Sequence, residues 1–126
     1  MRIPAIFLIL LLSALPAIAQ TKTVIAGKPF RLYAAYSTNP DCSATGDVVI
    51  RVTSPPSNGS VSIGRGSVFP NFPESNVRSA CNRRRVPGTI ATYTARRGYA
   101  GPDSVSLEII YPSGDQRQAS YNLMVR

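Results

Sequence analysis

The chain has 126 residues, with 14 Lys+Arg against 6 Asp+Glu, no histidine and a formal net charge of +8. Without histidine there is no Ser-His-Asp or Cys-His arrangement and no ordinary zinc site. The 6 acids are scattered, which leaves little for paired-carboxylate hydrolysis of glycosides.

The first residues read as a secretory signal peptide, residues 1–19. Met1-Arg2 is a short basic start, Ile3 to Leu15 is an almost unbroken apolar run, and Ala17-Ile18-Ala19 is a small-x-small cleavage site with Gln20 as the first mature residue. The apolar run is too short and too proline-marked (Pro4, Pro16) for a stable span. No cysteine follows the cleavage site, which argues against a lipid anchor. The expectation is an exported protein, periplasmic or extracellular, with no membrane span after cleavage and one domain over residues 20–126, a size that buries a modest core. Dropping Arg2 leaves 13 Lys+Arg against 6 acids, a net +7, and eleven of the 13 are arginine. That bias suits carboxylates and phosphates, which a planar guanidinium fork meets with two hydrogen bonds.

Strand signals then recur in chain order, with turn residues between them. Thr21 to Ala26 is a short β-branched run ended by Gly27. Phe30 to Tyr36 alternates, placing Phe30, Leu32, Ala34 and Tyr36 on one face, until Asn39-Pro40-Asp41 breaks it. Asp47 to Thr53 has Val48, Ile50 and Val52 inward and Arg51 outward. After the turn cluster Ser54 to Gly59, Ser60 to Ile63 alternates with Val61 and Ile63 inward. Gly64 to Arg85 reads as a long loop with one short strand near Ser67 to Phe69; such loops in compact domains are often functional. Thr89, Ala91 and Tyr93 share a face of the next strand. Val105, Leu107, Ile109 and Tyr111 follow, then a Pro112-Ser113-Gly114-Asp115 turn, then Ala119, Tyr121, Leu123 and Val125. Period-2 alternation of this kind predicts half-buried antiparallel strands. About seven strands predict an all-β sandwich.

Cys42 and Cys81 are the two cysteines. An even count in an exported chain predicts a disulfide between them, worth roughly 4 kcal/mol of unfolded-state entropy for a loop of about 40 residues. A metal or redox pair is the weaker reading, since there is no Cys-x-x-Cys and no histidine.

Two segments carry a resemblance. Pro56-Ser57-Asn58-Gly59-Ser60-Val61 is a Pro-x-x-Gly-x-Val turn into a strand. Tyr93-Thr94-Ala95-Arg96-Arg97-Gly98-Tyr99-Ala100-Gly101-Pro102-Asp103-Ser104-Val105 runs from a strand through a Gly-Tyr-x-Gly-x-Asp-Ser corner into the next. Together they resemble the bacterial immunoglobulin-like or cadherin-like modules of exported surface proteins. The resemblance implies an immunoglobulin-like antiparallel β-sandwich and a role in interaction rather than catalysis. Ala95 stands where that family usually has proline, there is a single copy, and no acidic pair has a calcium-loop spacing, so calcium is not carried over. No metal and no cofactor is expected. Read from the residues alone, Gly98 and Gly101 free the backbone at the corner, and Asp103 accepts backbone N–H bonds that fix it.

The sharpest candidates for binding are arginines. Arg83, Arg84 and Arg85 form a run, Arg78 precedes it, Arg65 lies early in the long stretch, and Arg96 and Arg97 lie in the next turn. If the loop folds over the Arg96-Arg97 end, these seven define a candidate anion-binding patch for lipopolysaccharide or acidic polysaccharide. The plainer reading is a solvated loop. Nucleic acid is disfavoured by export and by the lack of a recognisable binding fold. The first functional expectation is therefore a non-enzymatic module for protein–protein or cell-surface interaction, with an anion-polymer binder second and a small carbohydrate hydrolase a distant third.

Overall fold

The computed structural model describes residues 21–126; the segment read as a signal peptide, residues 1–19, lies outside the described residues. The chain is all-β. Its strands are β1 (Thr21–Val24), β2 (Phe30–Ala35), β3 (Val49–Ser54), β4 (Gly59–Val68), β5 (Val86–Ala95), β6 (Gly101–Ile110) and β7 (Gln116–Val125), with one turn of 3-10 helix at Ser79–Arg83. A four-stranded sheet has the order β1-β7-β6-β3 and a three-stranded sheet the order β2-β5-β4. The pairs are antiparallel except β1–β7, which is parallel.

The two sheets close on one core, an arrangement consistent with a β-sandwich. Alternation supplies it: Val105, Leu107 and Ile109 from β6 and Leu123 and Val125 from β7 meet Ala91, Tyr93 and Ala95 from β5. Full burial of side chains the size of Leu107 or Ile109 stabilises the fold by about 1.5–3 kcal/mol each. Ala91 and Ala95 leave room across the core for larger residues opposite, so the layers interdigitate.

Three expectations are corrected. Gly64 to Gly66 is strand rather than loop and joins the short strand expected near Ser67 to Phe69 to the run before it, because β4 pairs with β5 without interruption from Gly59↔Ala95 to Val68↔Val86. Glycine is a poor strand former in isolation, but at Gly66 the Ile90 side chain lies across the backbone, 2.6 Å from where a Cβ would sit. The neighbouring strand thus supplies the apolar cover that the glycine lacks. Second, a bulge between Arg31 and Tyr33 shifts the alternation of β2. Ala35 is the buried residue there, and Ala34 is only half-buried. Third, Ile63 is 40% exposed although it pairs opposite buried Ala91, because β4 is an edge strand.

Register assigns the loops to two ends. Residues 25–29, 55–58 and 96–100 gather where Gly59 meets Ala95 and Gly101 meets Val125, here termed the corner end. Residues 36–48, 69–85 and 111–115 gather at the opposite, disulfide end, where Val68 meets Val86 and Ile110 meets Gln116.

Candidate functional site

At the corner end the two resembling motifs form one constellation. Asp103 Oδ1 accepts the N–H groups of Ser57 (2.9 Å) and Ser104 (2.9 Å). Its Oδ2 accepts the N–H of Asn58 (3.1 Å) and the hydroxyl of Tyr93 (2.7 Å). Four donors fill the roughly four lone-pair sites of a carboxylate, so Asp103 has no capacity left for a substrate or metal. Burial alone pushes its pKa up, but the hydrogen bonds from Tyr93, Ser57, Ser104 and Asn58 outweigh it and hold the carboxyl below its ordinary value. Burial, and then the bond to Asp103, push the Tyr93 phenol well above its ordinary value. The motif glycine has a reason too: a Cβ on Gly59 would lie 2.6 Å from the Thr94 carbonyl oxygen and 2.7 Å from the Tyr93 ring.

The predicted arginine patch does not assemble as one. Arg85 and Arg96 flank the ten residues of β5, which at the rise of a strand places them about 30 Å apart. Arg96 and Arg97 therefore belong to the corner end. There Arg96 lies 5.7 Å from the Tyr99 ring centre, and the Arg97 stem packs beside Gly27. Arg65 is on β4 and forms an ion pair with Asp47. The remaining four, Arg78, Arg83, Arg84 and Arg85, lie at the disulfide end, in or beside the 3-10 helix.

That end is built by clasps between side chain and backbone. Cys42 and Cys81 form the predicted disulfide, with Cα atoms 5.5 Å apart. Cys42 adopts a left-handed backbone conformation, φ 70°, within a turn closed by Asn39 N–H to Ser43 O (2.8 Å). Hydrogen bonds from the Ser43 hydroxyl and N–H lower the pKa of Asp41 in that turn. Asn82 grips Phe72 twice, its amide donating to the Phe72 carbonyl (2.9 Å) and its oxygen accepting the Phe72 N–H (2.8 Å). The Tyr36 hydroxyl accepts the Asn71 N–H (2.8 Å), and the Tyr36 and Phe72 rings meet edge to face at 5.5 Å. Arg78 Nε donates to the Thr38 carbonyl (2.8 Å).

Between these loops lies an open cleft of about 690 Å³, lined by Tyr36, Thr38, Phe72, Arg78, Asp115 and Arg117 among others. Thr38 is 5% exposed, and its Oγ1 has no hydrogen-bond partner among the described residues; an unmet buried hydroxyl costs about 1–3 kcal/mol. Outside the cleft, Phe69 is 54% and Val77 73% exposed, and the Arg85 guanidinium lies 5.0 Å from the Phe69 ring centre. Sequence reasoning missed Arg117, Tyr36 and Phe72 as a group. Tyr36 and Phe72 come from two separate loops and Arg117 from the start of β7, and no spacing in the sequence links them. Among the described residues, no cluster of three potential metal ligands occurs, and no helix is long and apolar enough to cross a membrane.

No protein-family model matches the chain, and no curated protein matches it in sequence. Among solved structures it is similar to one titled "Solution Structure of Amebosin", at a TM-score of 0.43 and 14% identity, covering 84% of this chain and 88% of that one. At that score the likeness carries no argument about fold or function.

Proposed function

We propose that the chain is an exported, immunoglobulin-like, non-enzymatic module that binds a protein or cell-envelope partner with its disulfide end. The strand order supports the immunoglobulin-like part. Strands β2, β5 and β4 correspond to B, E and D of such a fold, and β3, β6 and β7 to C, F and G, with the first strand placed beside the last. In that correspondence the β2–β3 and β6–β7 loops lie at the end that variable domains use for recognition. The two resembling motifs, joined through Asp103, support the same reading.

The observation that carries the functional part is the fastening of two recognition-end loops by Cys42–Cys81, one of which carries exposed Phe69, Val77 and Arg85. Loops held in place before binding lose less entropy on binding, and aromatic residues and arginine are the side chains that most often anchor interfaces. A second reading, binding of an anionic polymer such as lipopolysaccharide or acidic polysaccharide, is favoured by Arg83, Arg84 and Arg85, none of which has a carboxylate within ion-pair distance among the described residues.

The test is binding of purified protein to cell-envelope fractions, with paired variants at the two ends. Replacing Phe69 and Arg85 by Ala abolishes binding on this reading, whereas replacing Arg96 and Arg97 by Ala leaves it intact. Equal loss in both variants, or loss only in the second, overturns it. Binding that survives about 0.5 M NaCl identifies the apolar interface, and binding lost there identifies the anionic polymer.

A further inference from the structure

We infer that the cleft at the disulfide end binds a uronic-acid saccharide, holding one sugar carboxylate between Arg78 and Arg117. This rests on the reading of that end as the binding face, and it names the ligand class. The cleft volume, about 690 Å³, falls within the range of small-ligand sites.

The charges select a single carboxylate. Arg78 spends its Nε on the Thr38 carbonyl at 2.8 Å, which fixes the plane of the guanidinium and leaves its Nη groups outside any ion pair. Arg117 rests over the Tyr111 ring at 5.6 Å and likewise has no carboxylate within ion-pair distance among the described residues. Asp115 is the third charge of the lining, and its Oδ2 accepts the Ser113 hydroxyl at 3.0 Å. Two guanidinium groups against one carboxylate leave one positive charge uncompensated. A uronate supplies one negative charge. A phosphomonoester brings about −1.5 to −2 and sets more of it against Asp115.

The uncharged lining points to a sugar. Tyr36 and Phe72, edge to face at 5.5 Å, present aromatic surface to the apolar C–H face of a pyranose. Asp115 offers acceptor oxygens to ring hydroxyls. Thr38 lines the cleft, yet its Oγ1 is turned into the protein without a partner. A step of about 120° around its Cα–Cβ bond carries the hydroxyl to another staggered position, and on this proposal a sugar hydroxyl completes it there. Native structures rarely leave such a hydroxyl unmet without a reason.

The test is titration of the isotopically labelled, disulfide-intact protein with tetragalacturonate, with neutral galactotetraose and inorganic phosphate as separate arms, followed by amide NMR shifts. Tetragalacturonate shifts Thr38, Arg78 and Arg117, and galactotetraose binds at least about tenfold more weakly because it lacks the charge-assisted bonds. Arg117→Gln weakens tetragalacturonate by a similar factor without lowering the melting temperature. Thr38→Val moves two readouts in opposite directions: the free protein melts higher, because an unmet hydroxyl is gone, and the saccharide binds more weakly. No shifts at millimolar tetragalacturonate overturn the proposal. So do equal binding of galactotetraose, stronger binding of phosphate, shifts confined to Arg83–Arg85, or unchanged affinity in Thr38→Val. Failure here with envelope binding still lost in the Phe69/Arg85 variant removes the saccharide and keeps the interaction face; envelope binding indifferent to that variant removes the face itself.

Discussion

The two ends of the molecule are held by opposite means. At the corner end a single carboxylate, Asp103, gathers four donors from three segments, and its polar capacity is consumed by the fold. At the disulfide end a covalent bond and asparagine clasps hold longer loops, and Arg78, Arg83, Arg84 and Arg85 form no ion pair among the described residues. A site needs polar groups that are positioned but unspent. The corner end positions and spends them; the disulfide end positions its loops by other bonds and leaves these guanidinium groups without a carboxylate among the described residues.

Removing the disulfide breaks this contrast most strongly. The double variant Cys42→Ala, Cys81→Ala loses about 4 kcal/mol on the chain-entropy view, measured by urea denaturation. Hydrogen exchange accelerates across residues 69–85 while the Ser57 and Asn58 amides keep their protection. Loss of protection at both ends would show that they do not act independently.

Asp103→Ala attacks the other end. It strands the Tyr93 hydroxyl and the Ser57 and Asn58 N–H groups, and costs about 3 kcal/mol, with the exchange pattern reversed. Tyr93→Phe, which removes one of those donors, costs about 1–2 kcal/mol in the same assay.

The pH dependence sharpens the assignment to Asp103. Its folded pKa is lowered, so its contribution is whole above the unfolded value of about 3.9 and is lost as pH falls through the folded value. Tyr93 has a raised pKa, so its contribution is whole below the ordinary value of about 10 and is lost as pH rises through the folded value. Stability measured against pH should fall on the acid side in the wild type and more shallowly in Asp103→Asn. The smallest effect belongs to Arg65→Ala: its ion pair with Asp47 is fully exposed, and no shift of the urea midpoint should be detectable.

Much of the sandwich was legible because its strands carry their own period. Leu107, Ile109, Leu123 and Val125 are buried where alternation places them. The Cys42–Cys81 bond followed from parity and compartment. What escaped depended on neighbours distant in sequence. Gly64 to Gly66 lacks the side chains of a strand, and the ladder to Ile90, Thr89 and Gly88, with the Ile90 side chain over Gly66, makes it one. The bulge in β2 is invisible in Phe30 to Ala35 read alone. Arg85 and Arg96 look close in the chain, yet a strand between them is a rigid spacer, which separates what a loop would let meet. The cleft draws Tyr36 and Phe72 from two loops and Arg117 from the start of β7, and only the closed sandwich determines their convergence.

The parallel seam between β1 and β7 has a mechanical consequence. Its rungs run from Thr21↔Asn122 to Val24↔Val125, and the bonds from Ala26 N–H to Arg126 O and from Arg126 N–H to Val24 O extend it. Tension applied between Thr21 and Val125 slides one strand along the other and loads these rungs together, as in a lap joint, instead of peeling them singly. Stretched along this axis, the domain yields by shear of the whole seam, the geometry in which a short ladder bears the greatest force.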